Sequence, residues 1–295
     1  MMSRLHFFCI IVIAVMLAVL SADCTAKEGT SSCSLAQWRE QGAKISVNSD
    51  GSLKAIDLTS AVGLVLNPDD TFSDTDLEAM KSLRVVRGTG YINRGLLQAL
   101  AKAPRLTEFL WTESSFPAGA FEVLTGHKGL KKLRLSGIKE KDQIASALTL
   151  AASLPQLTEL DLSRSALNDE LLTRVDWVRA FPKLAKLNLY DVPISDRAVT
   201  TLLPLAKRLN WLNLDATLIS DACMPQLVTF QNLQFLHLGR TSITNASVEY
   251  LAGFKKMQTL HVTRTKMNQE GFDKLQQQLP ECNVICVVSE DSQKK

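Results

Sequence analysis

The sequence predicts an α/β solenoid: a curved stack with one short parallel strand and one helix per repeat, closed at its N-terminal end by a hairpin cap. Three observations predict it. An apolar phrase with anchors at positions one, four and six returns every 24 to 27 residues, as Leu106/Phe109/Trp111, Leu130/Leu133/Leu135, Leu157/Leu160/Leu162, Leu184/Leu187/Leu189, Leu209/Leu212/Leu214, Leu233/Leu236/Leu238 and Met257/Leu260/Val262. Inside each repeat the apolar spacing changes from two residues to three. Between the two stretches stands a residue type that caps helices. A fixed period in this range marks stacked repeats.

Positions four and six are two apart and share one face of a short strand. Five residues beyond position six stands another apolar residue: Phe116, Leu167, Ile194, Ile219, Ile243 and Met267. Asn168, Ser195, Ser220, Thr244 and Asn268 follow as expected N-caps, whose side chains accept from the orphan N–H groups of a helix start. Asp169, Asp196 and Asp221 come next, where the helix dipole favours negative charge. Pairs three apart then mark the helix: Phe121/Leu124, Leu172/Val175, Val199/Leu202, Met224/Leu227, Val248/Leu251 and Phe272/Leu275. One repeat cannot bury both its faces alone, so neighbouring rungs stabilise one another and the end rungs need caps.

The chain resembles the leucine-rich repeat family over most of its length after residue 36. The runs Thr217-Leu218-Ile219-Ser220-Asp221 and Thr241-Ser242-Ile243-Thr244 resemble its cysteine-containing class, found in F-box proteins and in many exported bacterial proteins. Ser165, Thr217, Thr241 and Thr265 stand where that class has its Cys. The resemblance implies a curved solenoid that usually binds protein.

Toward the N-terminus the pattern degrades. Counting back places Ser82/Val85/Arg87 in the repeat register, with two anchors lost, while Ile92, Asn93, Leu97 and Leu100 keep the helix half. Phe72-Ser73-Asp74 with Leu77 and Met80 preserves another. Lys44–Val47 and Leu53–Leu58, split by Asn48-Ser49-Asp50-Gly51, read as a capping hairpin. At the other end Val284 and Cys286 fall on positions four and six of one more rung.

Phe7 through Leu20 is an unbroken apolar run behind Arg4, followed by Ser21 and Ala22, the layout of a signal peptide over 1–22. Export to a secreted, periplasmic or envelope location follows, and an uncleaved anchor is the alternative. Fourteen apolar residues are short for a membrane span, which needs about 17–25. Membrane attachment is expected only if this segment is retained or Cys24 is lipidated. Residues 23–36 read as a linker, 37–288 as one repeat domain with its caps, and 289–295 as a disordered tail. With 33 basic and 30 acidic residues, the net charge of +3 leaves no nucleic-acid footprint. Of six cysteines, Cys9 lies in the apolar run; Cys223 and Cys286 read as core, and a Cys24–Cys33 bridge is open.

The concave face should be lined by positions three, five, seven and eight. Its N-terminal half is of mixed charge: Glu108, Lys132, Glu159 and Lys186 at position three, with Arg134 and Asp161 at position five. Its C-terminal half gathers Tyr190, Trp211, Asp215, Phe235, His237, Arg240, His261 and Arg264, which we take as the candidate binding surface. Trp, Tyr and Arg dominate interface hot spots, and apolar side chains on a solvent-facing strand position invite a partner. The bland alternative is a solvated sheet with stray aromatics. His237 and His261 share one position in consecutive repeats, but with Asp215 set further along the strand no metal site is expected; a pH response near 6.5 is. Arg87-Gly88-Thr89-Gly90 lacks the context of a phosphate loop, and Asn245-Ala246-Ser247, formally a glycosylation sequon, falls at a helix cap.

No motif places a catalytic group, and no cofactor is implied. The expected function is therefore non-catalytic recognition of a protein, or of an envelope glycan, through the concave face. A structural or assembly component of the cell envelope is the alternative.

Overall fold

The computed structural model describes residues 32–61 and 71–287. The expected signal segment, Cys24 and the tail 289–295 lie outside the described residues. Eleven strands form one sheet: β2 (Lys44–Val47), β3 (Leu53–Asp57), β5 (Val85–Tyr91), β6 (Glu108–Ser115), β7 (Lys132–Leu135), β8 (Glu159–Asp161), β9 (Lys186–Asn188), β10 (Trp211–Asn213), β11 (Phe235–His237), β12 (Thr259–His261) and β13 (Asn283–Ile285). They follow one another in chain order, all parallel except the antiparallel hairpin β2–β3 at the start. The Asn48–Gly51 turn joins that hairpin, as expected.

Register follows the repeat. Leu160, Leu187, Leu212, Leu236, Leu260 and Val284 lie side by side across β8 to β13. These residues and the position-six leucines are buried against the helical layer on one side of the sheet, leaving the other side open. All five expected N-caps accept a backbone N–H at their helix start. The two 27-residue intervals hold the longest insertions: a helix at Lys141–Ser153, and a second helix at Trp177–Ala180 capped by Asp176.

Two boundaries differ from expectation. The fold begins inside the stretch read as a linker: Ser32–Cys33 is β1, paired in parallel with β4 (Thr71–Phe72), and Leu35–Glu40 is a helix. Ser34 and Gln37 close a capping box there, a start signal hidden in Ser-rich sequence. Trp38 from this helix is buried, edge-on to Phe72 with ring centroids 5.1 Å apart.

The first full rung is displaced by one residue. Pairing of β5 with β6 sets Val86 beside Phe109 and Gly88 beside Trp111, so its anchors are Leu83, Val86 and Gly88 rather than Ser82, Val85 and Arg87. The count misleads because this rung has one residue fewer before its helix cap, and the ladder slips between Thr89 and Tyr91. Glycine at position six makes room for the neighbouring indole. A Cβ on Gly88 would lie 2.4 Å from Trp111 Cη2. The indole is fully buried, and its Nε1–H donates to the Gly90 carbonyl at 3.0 Å.

Two polar ladders tie the rungs. The hydroxyls of Ser114, Ser165, Thr217, Thr241 and Thr265, all buried, each donate to the position-six carbonyl three residues back, at 2.6 to 3.2 Å. Ile138 and Val192 take this place in the other two rungs as plain core. The second ladder crosses between rungs. Asp169 accepts the backbone N–H and hydroxyl of Ser195, Asp196 those of Ser220, and Asp221 those of Thr244. Asn245 continues it by accepting from the Asn268 N–H at 3.0 Å. These acids therefore do more than meet a helix dipole: each completes the cap of the next helix.

Candidate functional site

Position three changes character along the open face. Lys132 Nζ lies 3.3 Å from Glu108 and 3.8 Å from Glu159, and Lys186 Nζ lies 3.2 Å from Glu159. These partly exposed, alternating pairs satisfy one another and add little stability. Beyond Lys186 the register puts Trp211 and then Phe235 in the same file. Their rings stack at 4.7 Å with planes 6° apart, both partly exposed.

Position five has a local task that explains its residue types. Asp161, Asn188 and Asn213 each accept the N–H of the residue two further on, at 2.9 to 3.2 Å. His237 does the same through Nδ1, which accepts from Gly239 N–H at 3.2 Å. That bond leaves neutral His237 with its proton on Nε2. His261 stacks on it with ring centroids 4.3 Å apart and planes 12° apart, and Phe235 lies 5.4 Å from His261. Trp211, Phe235, His261 and His237 thus form one continuous aromatic surface over three rungs.

From β8 to β12 each strand ends at position five. Position eight is left-handed in all seven rungs: Glu113, Gly137, Arg164, Asp191, Ala216, Arg240 and Arg264 have φ between 49° and 78°. The chain turns away there, so position seven is drawn inward in four of the seven rungs. Ser136, Ser163, Asp215 and Gly239 are buried, while Tyr190 stays partly exposed.

Asp215 accordingly acts from within. It accepts from Arg240 Nε at 3.0 Å and also from Arg240 Nη2, a bidentate pair. The same guanidinium lies over the Tyr190 ring, 5.1 Å from its centroid. Arg240, still exposed, is therefore held by Asp215 and Tyr190, and its hydrogen bonds to Asp215 raise its pKa further. Arg264, one rung on, is exposed and makes no ion pair or side-chain hydrogen bond among the described residues.

Burial pushes His237 down to about 4, against the pull of Asp215 and with help from the neighbouring His261 and Arg240 charges. Burial also lowers His261. The face is therefore uncharged at its histidines around neutrality, and the response expected near 6.5 moves to lower pH. Among the described residues no three His, Cys, Asp or Glu side chains converge as a metal site. Cys223 and Cys282 are buried thiols and Cys286 is partly exposed, short of the core position expected for it. Burial raises all three pKa values. No described helix is long and apolar enough to cross a membrane.

Two shallow depressions flank the aromatic surface. One, of about 280 Å³, runs from Leu110 to Trp211 over the ion-pair ladder. The other, of about 230 Å³, is walled by Asp215, His237, Arg240, Thr263, Arg264 and Val287. Sequence reasoning found the aromatic file. It missed the left-handed turns, for which six of seven residues carry no glycine signal.

No family model matches the sequence, and no curated protein is significantly similar to it. Among solved structures, a leucine-rich repeat protein of Leptospira interrogans is similar at 18% identity and a TM-score of 0.46, over 77% of this chain and 61% of that one. A TDR receptor is similar at 13% identity and a TM-score of 0.43, over 75% of this chain and 37% of that one. The chain spans less than two thirds of the length of either. Its own geometry decides the fold: seven apolar phrases in register, each supplying one parallel strand and the first, fourth and sixth anchors of a shared core. The chain is a leucine-rich repeat solenoid.

Proposed function

We propose that the protein is an exported, non-catalytic recognition module that binds a protein partner on the open face of its sheet. The Trp211–Phe235 stack carries this reading. The core of those rungs is already complete without it, through Leu209, Leu212, Leu214, Leu233, Leu236 and Leu238. In the four rungs before them the same file holds ions that satisfy one another, so two large rings left partly exposed are surplus to folding. Aromatic side chains in such a setting supply contact area at low entropic cost, as interface anchors do.

The test is capture from an envelope extract by the wild-type chain, the Trp211→Ala and Phe235→Ala variants, and Lys132→Ala as control. Loss of about 2 kcal/mol or more at the aromatics, roughly 30-fold in affinity, with little change at Lys132, is expected. Unchanged capture by both aromatic variants would sink the reading, and self-association alone would replace it with an assembly role. N-terminal sequencing of the native protein tests export: the chain should start near residue 23.

A further inference from the structure

We propose that the depression beside the aromatic stack is a carboxylate site, which takes an Asp or Glu side chain of a partner polypeptide against Arg264. This rests on the recognition reading and names the partner's chemistry.

Of the six residues that wall the depression, the acidic one is already occupied: both Asp215 oxygens accept from Arg240. The carbonyl of Val287 accepts from the Arg264 N–H at 3.0 Å. Two donor groups remain unmatched. The Arg264 guanidinium offers its N–H donors to nothing among the described residues, and a guanidinium presents no acceptor. His237 is held by Gly239 in the tautomer that carries its proton on Nε2, and no described group accepts from that proton. The Thr263 hydroxyl donates to the Ile285 carbonyl at 3.4 Å. Unmatched donors on Arg264 and His237, with one net uncompensated positive charge, are complementary to a single carboxylate. The planar fork of Arg suits it in bidentate geometry.

Position also matters. Arg264 follows His261 by three residues, so an occupant would have its neighbours over the His261–His237 and Phe235–Trp211 rings. A polypeptide with an acidic residue beside an apolar one fits both halves.

The test uses a displayed library of random dodecapeptides, panned on the intact chain and on the Arg264→Gln and Trp211→Ala variants. Thermal melting confirms that each is folded. Wild type should enrich peptides in which Asp or Glu stands near an aromatic or aliphatic residue. Replacing that acid with its amide should weaken a selected peptide roughly tenfold on wild type and hardly at all on Arg264→Gln. Selection that persists without acidic enrichment, or that is indifferent to Arg264, would overturn the carboxylate site and leave the recognition reading standing. No selection by wild type would overturn both. Loss of all binding in Trp211→Ala together with acid dependence at Arg264 supports both.

Discussion

Replacing Gly88 with alanine tests whether the first rung is set by its fit to Trp111. The added methyl would sit 2.4 Å from Trp111 Cη2 and 2.6 Å from both Cζ2 and Cζ3. Ordinary carbon contacts begin near 3.5 Å, so the indole would have to withdraw by about 1 Å. It has nowhere easy to go. Its Nε1–H is bound to Gly90, and Phe109 packs against it with centroids 5.9 Å apart. Overpacking of this kind costs about 1–3 kcal/mol, and straining a buried hydrogen bond adds about 1 kcal/mol. Alanine recovers about 0.5–1 kcal/mol of backbone entropy relative to glycine. The net expectation is a loss of about 2 kcal/mol, read as a lower urea midpoint with an unchanged m-value, by fluorescence and circular dichroism together. The decisive control is the same change in a Trp111→Leu background, which restores the position-six residue of other rungs. There Gly88→Ala should cost less than about 0.5 kcal/mol, giving a coupling well above the scatter of independent sites. A neutral Gly88→Ala, or an equal cost in both backgrounds, would refute the steric account.

Further outcomes follow from the ladders and the histidines. Asp221→Ala should cost about 2 kcal/mol in thermal or urea unfolding, because Thr244 N–H and the Thr244 and Ser247 hydroxyls lose their acceptor together; a loss below about 0.5 kcal/mol would deny the ladder any role. Burial raises the Asp221 pKa, but those hydrogen bonds outweigh it and hold the group below its ordinary value. Its contribution is therefore present above the unfolded carboxyl value and lost as pH falls through the lower folded one, and Asp221→Asn should flatten that part of the acid limb. His237, lowered to about 4 in the fold, has the unfolded state taking up its proton first. Stability should fall between about pH 6.5 and 4, by at most about 3 kcal/mol from this group; an imidazole titrating near 6.5 by NMR would contradict it. Thr241→Val keeps the shape and removes the hydroxyl bond to Leu238, leaving a carbonyl short of a partner; about 1 kcal/mol should go, and a gain in stability would show the ladder to be dispensable.

The anchors of the seven rungs were readable because burial imposes one residue class at a fixed spacing. Leu160, Leu187, Leu212 and Leu236 have no alternative face. The N-caps were readable for the same reason, since few side chains can reach a helix-start N–H. Where the constraint is pairwise, single positions carry less. Gly88 means a rung anchor only once Trp111 is known to lie beside it, and the missing residue before Ile92 shifted the count. Asp169, Asp196 and Asp221 look like dipole acids until the next rung's cap is placed against them. The left-handed residues defeat composition altogether, because the turn is enforced by flanking ladder bonds, and Arg, Asp, Glu and Ala are carried into it. On the face itself the aromatic file was visible, whereas the capture of Arg240 by Asp215 depended on a turn that the pattern does not announce.

The aspartate ladder also bears on how such a chain can change length. Each unit from cap to cap presents an acceptor to the rung after it and a donor pair to the rung before it, as Ser195–Asp196 and Ser220–Asp221 do. A unit of this kind mates with a copy of itself head to tail. Duplicating or excising one whole unit therefore leaves the cap ladder matched at either seam. Growth in steps of one rung, about 4.8 Å along the sheet, would lengthen the face while each new cap finds its acceptor in the rung before it.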